Sequence, residues 1–175
     1  MPPAILIDEI PIRLALMLTD ADSRCKQSFA GFIKSYTSDI ELPCWEIGDG
    51  GGDYELSAAN LSSPVDTFTA NLIVSSLGQG MEDDQTRINE YETLARAISY
   101  NALLYCLRRP DLTFSNERAN TDLTAQLALN GVRFAKIRRE PAGLYGTDGE
   151  GFGKFWGSKL TFTVTTQIQV MRIIR

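Results

Sequence analysis

The most regular pattern in the chain lies in KLTFTVTTQIQVMRIIR, residues 159–175. Leu160, Phe162, Val164, Ile168 and Val170 fall on even positions, while Lys159, Thr161, Thr163, Thr165, Gln167 and Gln169 fall on odd ones. Successive side chains of a strand point to opposite faces, so this spacing predicts a long strand with one apolar face and one Thr/Gln face. The even face is expected to pack under a helix. The odd face has no charge between Thr161 and Gln169, which suits another protein surface or a wet channel better than bulk solvent. TFTANLIVSSL, residues 67–77, alternates in the same way and places Phe68, Ala70, Leu72 and Val74 together.

The period changes in EDDQTRINEYETLARAISYNALLYCLRR, residues 82–109. Ile88, Tyr91, Leu94, Ile98, Ala102 and Tyr105 recur every three or four residues, which predicts a helix. Glu82, Asp83 and Asp84 suit its N-terminal dipole, Arg108 and Arg109 suit its end, and Pro110 stops it. Residues 11–37 also carry a helical stripe through Leu14, Leu18, Ala21, Cys25, Phe29, Phe32 and Tyr36, with Pro11 in the first turn. The TDADS run at 19–23 fits a break and a cap of a second helix, and residues 10–18 alternate enough to read as a strand instead. LPCWEI, residues 42–47, reads as a short strand, and residues 48–66, rich in Gly, Ser, Asp and Asn, read as a long loop or arm. Asn130-Gly131 fits a hairpin turn or a helix C-cap, and either way residues 132–138 should form a strand. A glycine-rich loop over 143–157 then leads into the closing strand.

This order predicts a single α+β domain spanning 1–175: an antiparallel or mixed β-sheet with helices packed on one face and long loops extending from it. A chain of 175 residues with 43% hydrophobic and 22% charged residues buries a core without staples. Cys25, Cys44 and Cys106 form no CxxC pair and read as reduced, buried thiols. No run reaches the roughly 18 apolar residues that a membrane span needs. The apolar N-terminal stretch contains Asp8, Glu9 and Arg13 and reads as folded structure rather than a secretion signal.

Histidine is absent, which removes the commonest general base and metal ligand and lowers the expectation of an enzyme. The net charge of −5 is unevenly spread. Residues 1–129 hold 9 basic and 19 acidic side chains, and residues 130–175 hold 8 and 3. Such a chain is a poor nucleic-acid binder overall, yet an acidic end and a basic end suit head-to-tail pairing with its own copies, which generates rings when the rotation closes.

Neither glycine run carries dedicated chemistry. GDGGGD (48–53) and GTDGEGFG (146–153) lack the GxxxxGK[ST] spacing of a phosphate loop, the GxGxxG spacing and the ligand pattern of a calcium loop. The acids at 82–84 belong to a helix start, and no pair of acids has the setting of a tuned acid/base couple. Catalytic, metal and cofactor sites are therefore not expected. The candidate contact residues are aromatics on loops: Tyr54 in the arm, and Tyr145, Phe152, Phe155 and Trp156 in or beside the glycine-rich loop. They fold back as a lid over the core or find their burial in a partner.

The element order over residues 67–170 resembles the lambda-type tail terminator (tail completion, neck) proteins of long-tailed bacteriophages. FTANLIVSS, a glycine turn, INEYETLARAISYNALL ending in RRPDL, VRFAKIRR, a variable loop and FWGSKLTFTVTTQIQV carry the resemblance. It implies a structural virion protein without enzymatic activity, forming a ring, expected to be a hexamer. The ring would cap the tail tube protein and join it to the head-side connector protein, with assembly in the host cytoplasm. DNA would pass through without sequence-specific contact, and no membrane would be involved. A small soluble protein- or ligand-binding module gripping its ligand with the loop aromatics is the alternative. An enzyme working with carboxylates ranks below both.

Overall fold

A computed structural model describes residues 3–33, 39–53, 65–76, 85–112, 132–146 and 154–165. In chain order the elements are α1 (Pro3–Ala21), β1 (Gln27–Ala30), β2 (Cys44–Asp53), β3 (Val65–Ser76), α2 (Gln85–Leu107), β4 (Arg133–Arg139), β5 (Gly143–Gly146) and β6 (Lys154–Thr165). The strands form one sheet in the order β1-β2-β3-β6-β4, with β5 also paired to β6. β1 runs parallel to β2 and every other pairing is antiparallel. The fold is thus α+β with a mixed sheet, as expected.

The alternation in β6 is what organises the core. Leu160, Phe162 and Val164 are buried, as are Phe68, Ala70 and Leu72 of β3, and Ala70↔Leu160 and Phe68↔Phe162 are direct cross-strand pairs. Trp45 and Ile47 of β2 extend the same face. Ile10, Leu14, Met17 and Leu18 of α1 and Ala95, Ile98, Ala102 and Cys106 of α2 cover it. Each large aliphatic or aromatic group so buried contributes about 1.5–3 kcal/mol by leaving water. α1 lies over β1 and β2, and α2 lies over β6, β3 and β4. Among the described residues no helix is long and apolar enough to cross a membrane.

The N-terminal third departs from expectation. α1 begins at Pro3 and ends at Ala21, with Pro11 inside it, so Pro11 does not start the helix and residues 10–18 are not a strand. Proline removes one helical hydrogen bond, at about 3 kcal/mol, and burial of Ile10, Leu14, Met17 and Leu18 offsets that loss. The helical stripe does not continue past Ala21. Asp22 instead turns the chain, its carbonyl accepting from the Cys25 N–H at 3.1 Å and its carboxylate from the Arg24 N–H at 3.0 Å. Cys25 and Phe29, read as helical, lie in that turn and in β1.

The arm is shorter than its composition suggested. β2 does not stop at Ile47 but runs through the glycines to Asp53, paired with β3, with a register shift between Asp49 and Gly52. Backbone pairing needs no side chains, so a glycine-rich segment can join a ladder at a bulge. Residues 48–53 and 65–66 are therefore strand, and 54–64 lie outside the described residues. The expected 143–157 loop is likewise strand at its two ends, where β5 pairs with the start of β6 from Gly143↔Gly157 through Gly146↔Lys154, and 147–153 lie outside the described residues. The expected 82–109 helix is observed as Gln85–Leu107, and the expected 132–138 strand as β4. The acids at 82–84, Asn130-Gly131 and residues 166–175 lie outside the described residues.

Candidate interaction surfaces

Hydrogen-bond register decides the fate of the loop aromatics. Tyr145 pairs with Phe155 and Leu144 with Trp156. Phe155 is fully buried, packed with Cys44 and Ile73 in a second, smaller core on the sheet face away from the helices. Phe29, Ile33, Ile40 and Leu42 close over it. Tyr145 stacks on Phe155 with ring centroids 5.8 Å apart, and its hydroxyl donates to the Pro141 carbonyl. Burial, reinforced by Glu140, raises the Tyr145 pKa, and Arg139 opposes the rise. Phe155 is therefore no partner contact, because strand pairing turns it inward; the lid alternative describes it better. Trp156 is half-buried. Tyr54 and Phe152 lie outside the described residues.

The rest of that second face is polar. Register places Thr69 beside Thr161 and Thr67 beside Thr163 on β3 and β6. On the other side of β6, Arg133, Lys136 and Arg138 of β4 stand beside Thr165, Thr163 and Thr161. All three cations are exposed. Of the carboxylates of this face, Glu140 follows Arg138 by two residues at the Lys159 end of the row, and Glu46 lies on β2. Glu46 is buried and accepts from the Ile33 N–H and from Asn71 Nδ2, each at 2.9 Å. Glu140 stands beside Tyr145. Among the described residues, no helix covers the threonine rows.

The helix layer carries a different kind of surface at the two edges of the sheet. At the β1 edge, Ile12 and Leu16 of α1 are exposed to 43% and 42%, and Phe32 to 50%. Ile12 and Phe32 line a cleft of about 400 Å³ with Pro11, Phe68 and Asp49. At the start of β1 the Gln27 side chain donates to the Asp39 carbonyl and accepts from the Glu41 N–H. Toward the β4 edge, Tyr100, Leu104 and Leu107 of α2 are exposed at helical spacing, and Leu144 of β5 is exposed as well. Arg139 places its guanidinium 4.4 Å from the Tyr100 ring centroid, and Arg96 and Arg108 lie one turn from Tyr100 and Leu104. The Tyr100, Leu104, Leu107 spacing was visible in the sequence, but the inner stripe of the same helix masked it.

The interior offers little reactive chemistry among the described residues. Burial pushes the Cys25, Cys44 and Cys106 thiols up to about 12, so they stay protonated and weakly nucleophilic at neutral pH. No three of the described Cys, Asp and Glu side chains come together as metal ligands. Buried Arg13 of α1 donates to the Leu112 carbonyl after α2, and burial, opposed by Asp111 and Tyr105, lowers its pKa to about 10. These polar groups tie α1 to α2. No protein-family model matches the chain, and no curated protein matches it either.

Proposed function

We propose that the protein is a ring-forming structural subunit of a bacteriophage neck, a tail terminator that caps the tail tube and meets the head-side connector. The observation that carries the reading is the placement of exposed apolar side chains. Ile12, Leu16 and Phe32 sit at one edge of the sheet, with Asp49 lining the same cleft as Ile12 and Phe32, and Tyr100, Leu104, Leu107 and Leu144 sit toward the other beside Arg96, Arg108 and Arg139. Two unlike patches on opposite edges of one subunit, one with Asp49 in its cleft and one rimmed by arginines, favour a heterologous, head-to-tail contact, which generates a ring when the rotation closes. Apolar anchors with a charged rim are also the ordinary anatomy of a protein interface.

Native mass spectrometry tests the reading. A discrete closed oligomer is expected, and Ile12→Glu or Leu104→Glu should shift it toward monomer while leaving the far-UV spectrum unchanged. A protein that stays monomeric at every concentration overturns the reading. The cleft between Ile12 and Phe32 favours a second reading, a small binding module. Under that reading Ile12→Glu removes a ligand-induced thermal shift and leaves the mass unchanged.

A further inference from the structure

We infer that the open face of the sheet binds the phosphate backbone of nucleic acid without reading its sequence. Arg133, Lys136 and Arg138 project from one edge strand beside Thr165, Thr163 and Thr161, and Thr67 and Thr69 continue the rows on β3. This is a strip of cations backed by hydroxyls, the donor set that contacts phosphate oxygens. The three exposed cations lie on β4, and Lys159 continues the threonine row of β6 opposite Asn71. Glu46 does not oppose the strip, since it is buried against Ile33 and Asn71. Glu140 closes one end of the strip, two residues beyond Arg138 and beside Tyr145, and Lys159 stands opposite it on β6.

A protein partner fits this face poorly. The threonine rows contain no aromatic or large aliphatic anchor of the kind that holds a protein interface. Such anchors lie on the helix layer instead. The rows also lack an aromatic on which a base could stack and present no side chain arranged for bidentate base contacts. What remains is backbone attraction. The chain's net charge of −5 limits it to a local contact. The inference does not require the ring. It concerns a face that the edge contacts leave free, and the binding assay below does not depend on the oligomeric state.

The test is fluorescence anisotropy with short labelled duplexes of two unrelated sequences. At low salt both should bind with affinities within a few-fold of each other. With three phosphate contacts the slope of log K against log salt is about −2.7, so raising salt from about 50 to about 200 mM should weaken binding about 40-fold. The combined variant Arg133→Glu, Lys136→Glu, Arg138→Glu should abolish binding. The same charge change made at Lys26, Arg87 and Lys154, exposed cations outside the strip, should spare most of it. Should the combined variant fail to fold, Lys136→Ala alone should flatten the salt slope by about 1, and Lys136→Arg should restore it. No binding by the wild type at low salt overturns the inference, as does a combined variant that binds like wild type. A combined variant that loses oligomeric mass yet keeps DNA affinity also overturns it and marks the face as a protein interface.

Discussion

Asn101, in α2, donates a hydrogen bond of 2.8 Å to the carboxylate of Asp22, the residue that follows α1. Arg24 grips the same carboxylate from its own turn, through Nη2 at 2.6 Å and Nε at 2.9 Å. The end of one helix is thereby fastened to the side of the other. The Arg24 hydrogen bonds, joined by that from Asn101, lower the Asp22 pKa from 3.8 to about 2, although burial opposes the shift. The folded value lies below the unfolded one, so this stabilisation is fully present above about pH 4 and disappears as pH falls toward 2. A shift of this size corresponds to roughly 2 kcal/mol. Asp22→Asn should remove most of that acid-dependent part, so wild type and variant should converge in urea stability as pH falls from 5 to about 2.

Two glycines of the sheet should respond differently to the same substitution. A Cβ on Gly157 would lie 1.7 Å from the Leu72 carbonyl oxygen, a backbone atom of the central ladder. On Gly48 it would meet the Phe32 ring end at 1.8 Å, a side chain exposed to 50% and able to swing away. Gly157→Ala should cost at least about 3 kcal/mol, and Gly48→Ala less than about 1 kcal/mol, in denaturant titrations. Gly48→Ala should instead reshape the cleft beside Ile12.

Phe155 is a test of the second core. Phe155→Ala should destabilise by about 3–5 kcal/mol, the usual cost of emptying a buried aromatic site. Trp156→Ala, at a half-buried position, should cost less. Equal small effects at both positions, read by thermal melting, would contradict the inward orientation of Phe155.

The three cysteines are all buried, with pKa values near 12. A thiol reagent at pH 8 should modify the native protein slowly and three thiols quickly in denaturant. Rapid reaction of one thiol in native buffer would show that its surroundings open.

The parts legible in the sequence are those whose hydrophobic period is unbroken. Leu160, Phe162 and Val164, the β3 run through Phe68 and Leu72, and Ile98 and Ala102 of α2 all face the core that their spacing predicted. The bounds of α1 are not legible, because Pro11 breaks the local rule while Ile10, Leu14, Met17 and Leu18 still gain from burial. The length of β2 is not legible, because Gly48, Gly50 and Gly51 carry no side-chain pattern, although their backbone extends the strand. The aromatics at 145–156 were half legible. Their composition marked a contact, but only the pairing Tyr145↔Phe155 reveals that the contact is internal. The cationic strip was hidden for a related reason: Arg133, Lys136 and Arg138 share a face with the threonines only once β4 is set beside β6.

The central position of β6 bears on how the chain reaches this state. It joins β3 to β4 and β5, and its pairing with β3 links Val65 to Thr165, residues 100 apart in sequence. Every one of its partners emerges from the ribosome before it does. Until it arrives, β3 presents an unfilled edge and α2 lacks the largest part of its floor, so the nascent chain waits half-assembled. Contacts of such separation slow folding and prolong the exposure of sticky edges, so a chaperone has its clearest opportunity in the interval between the synthesis of β3 and that of β6.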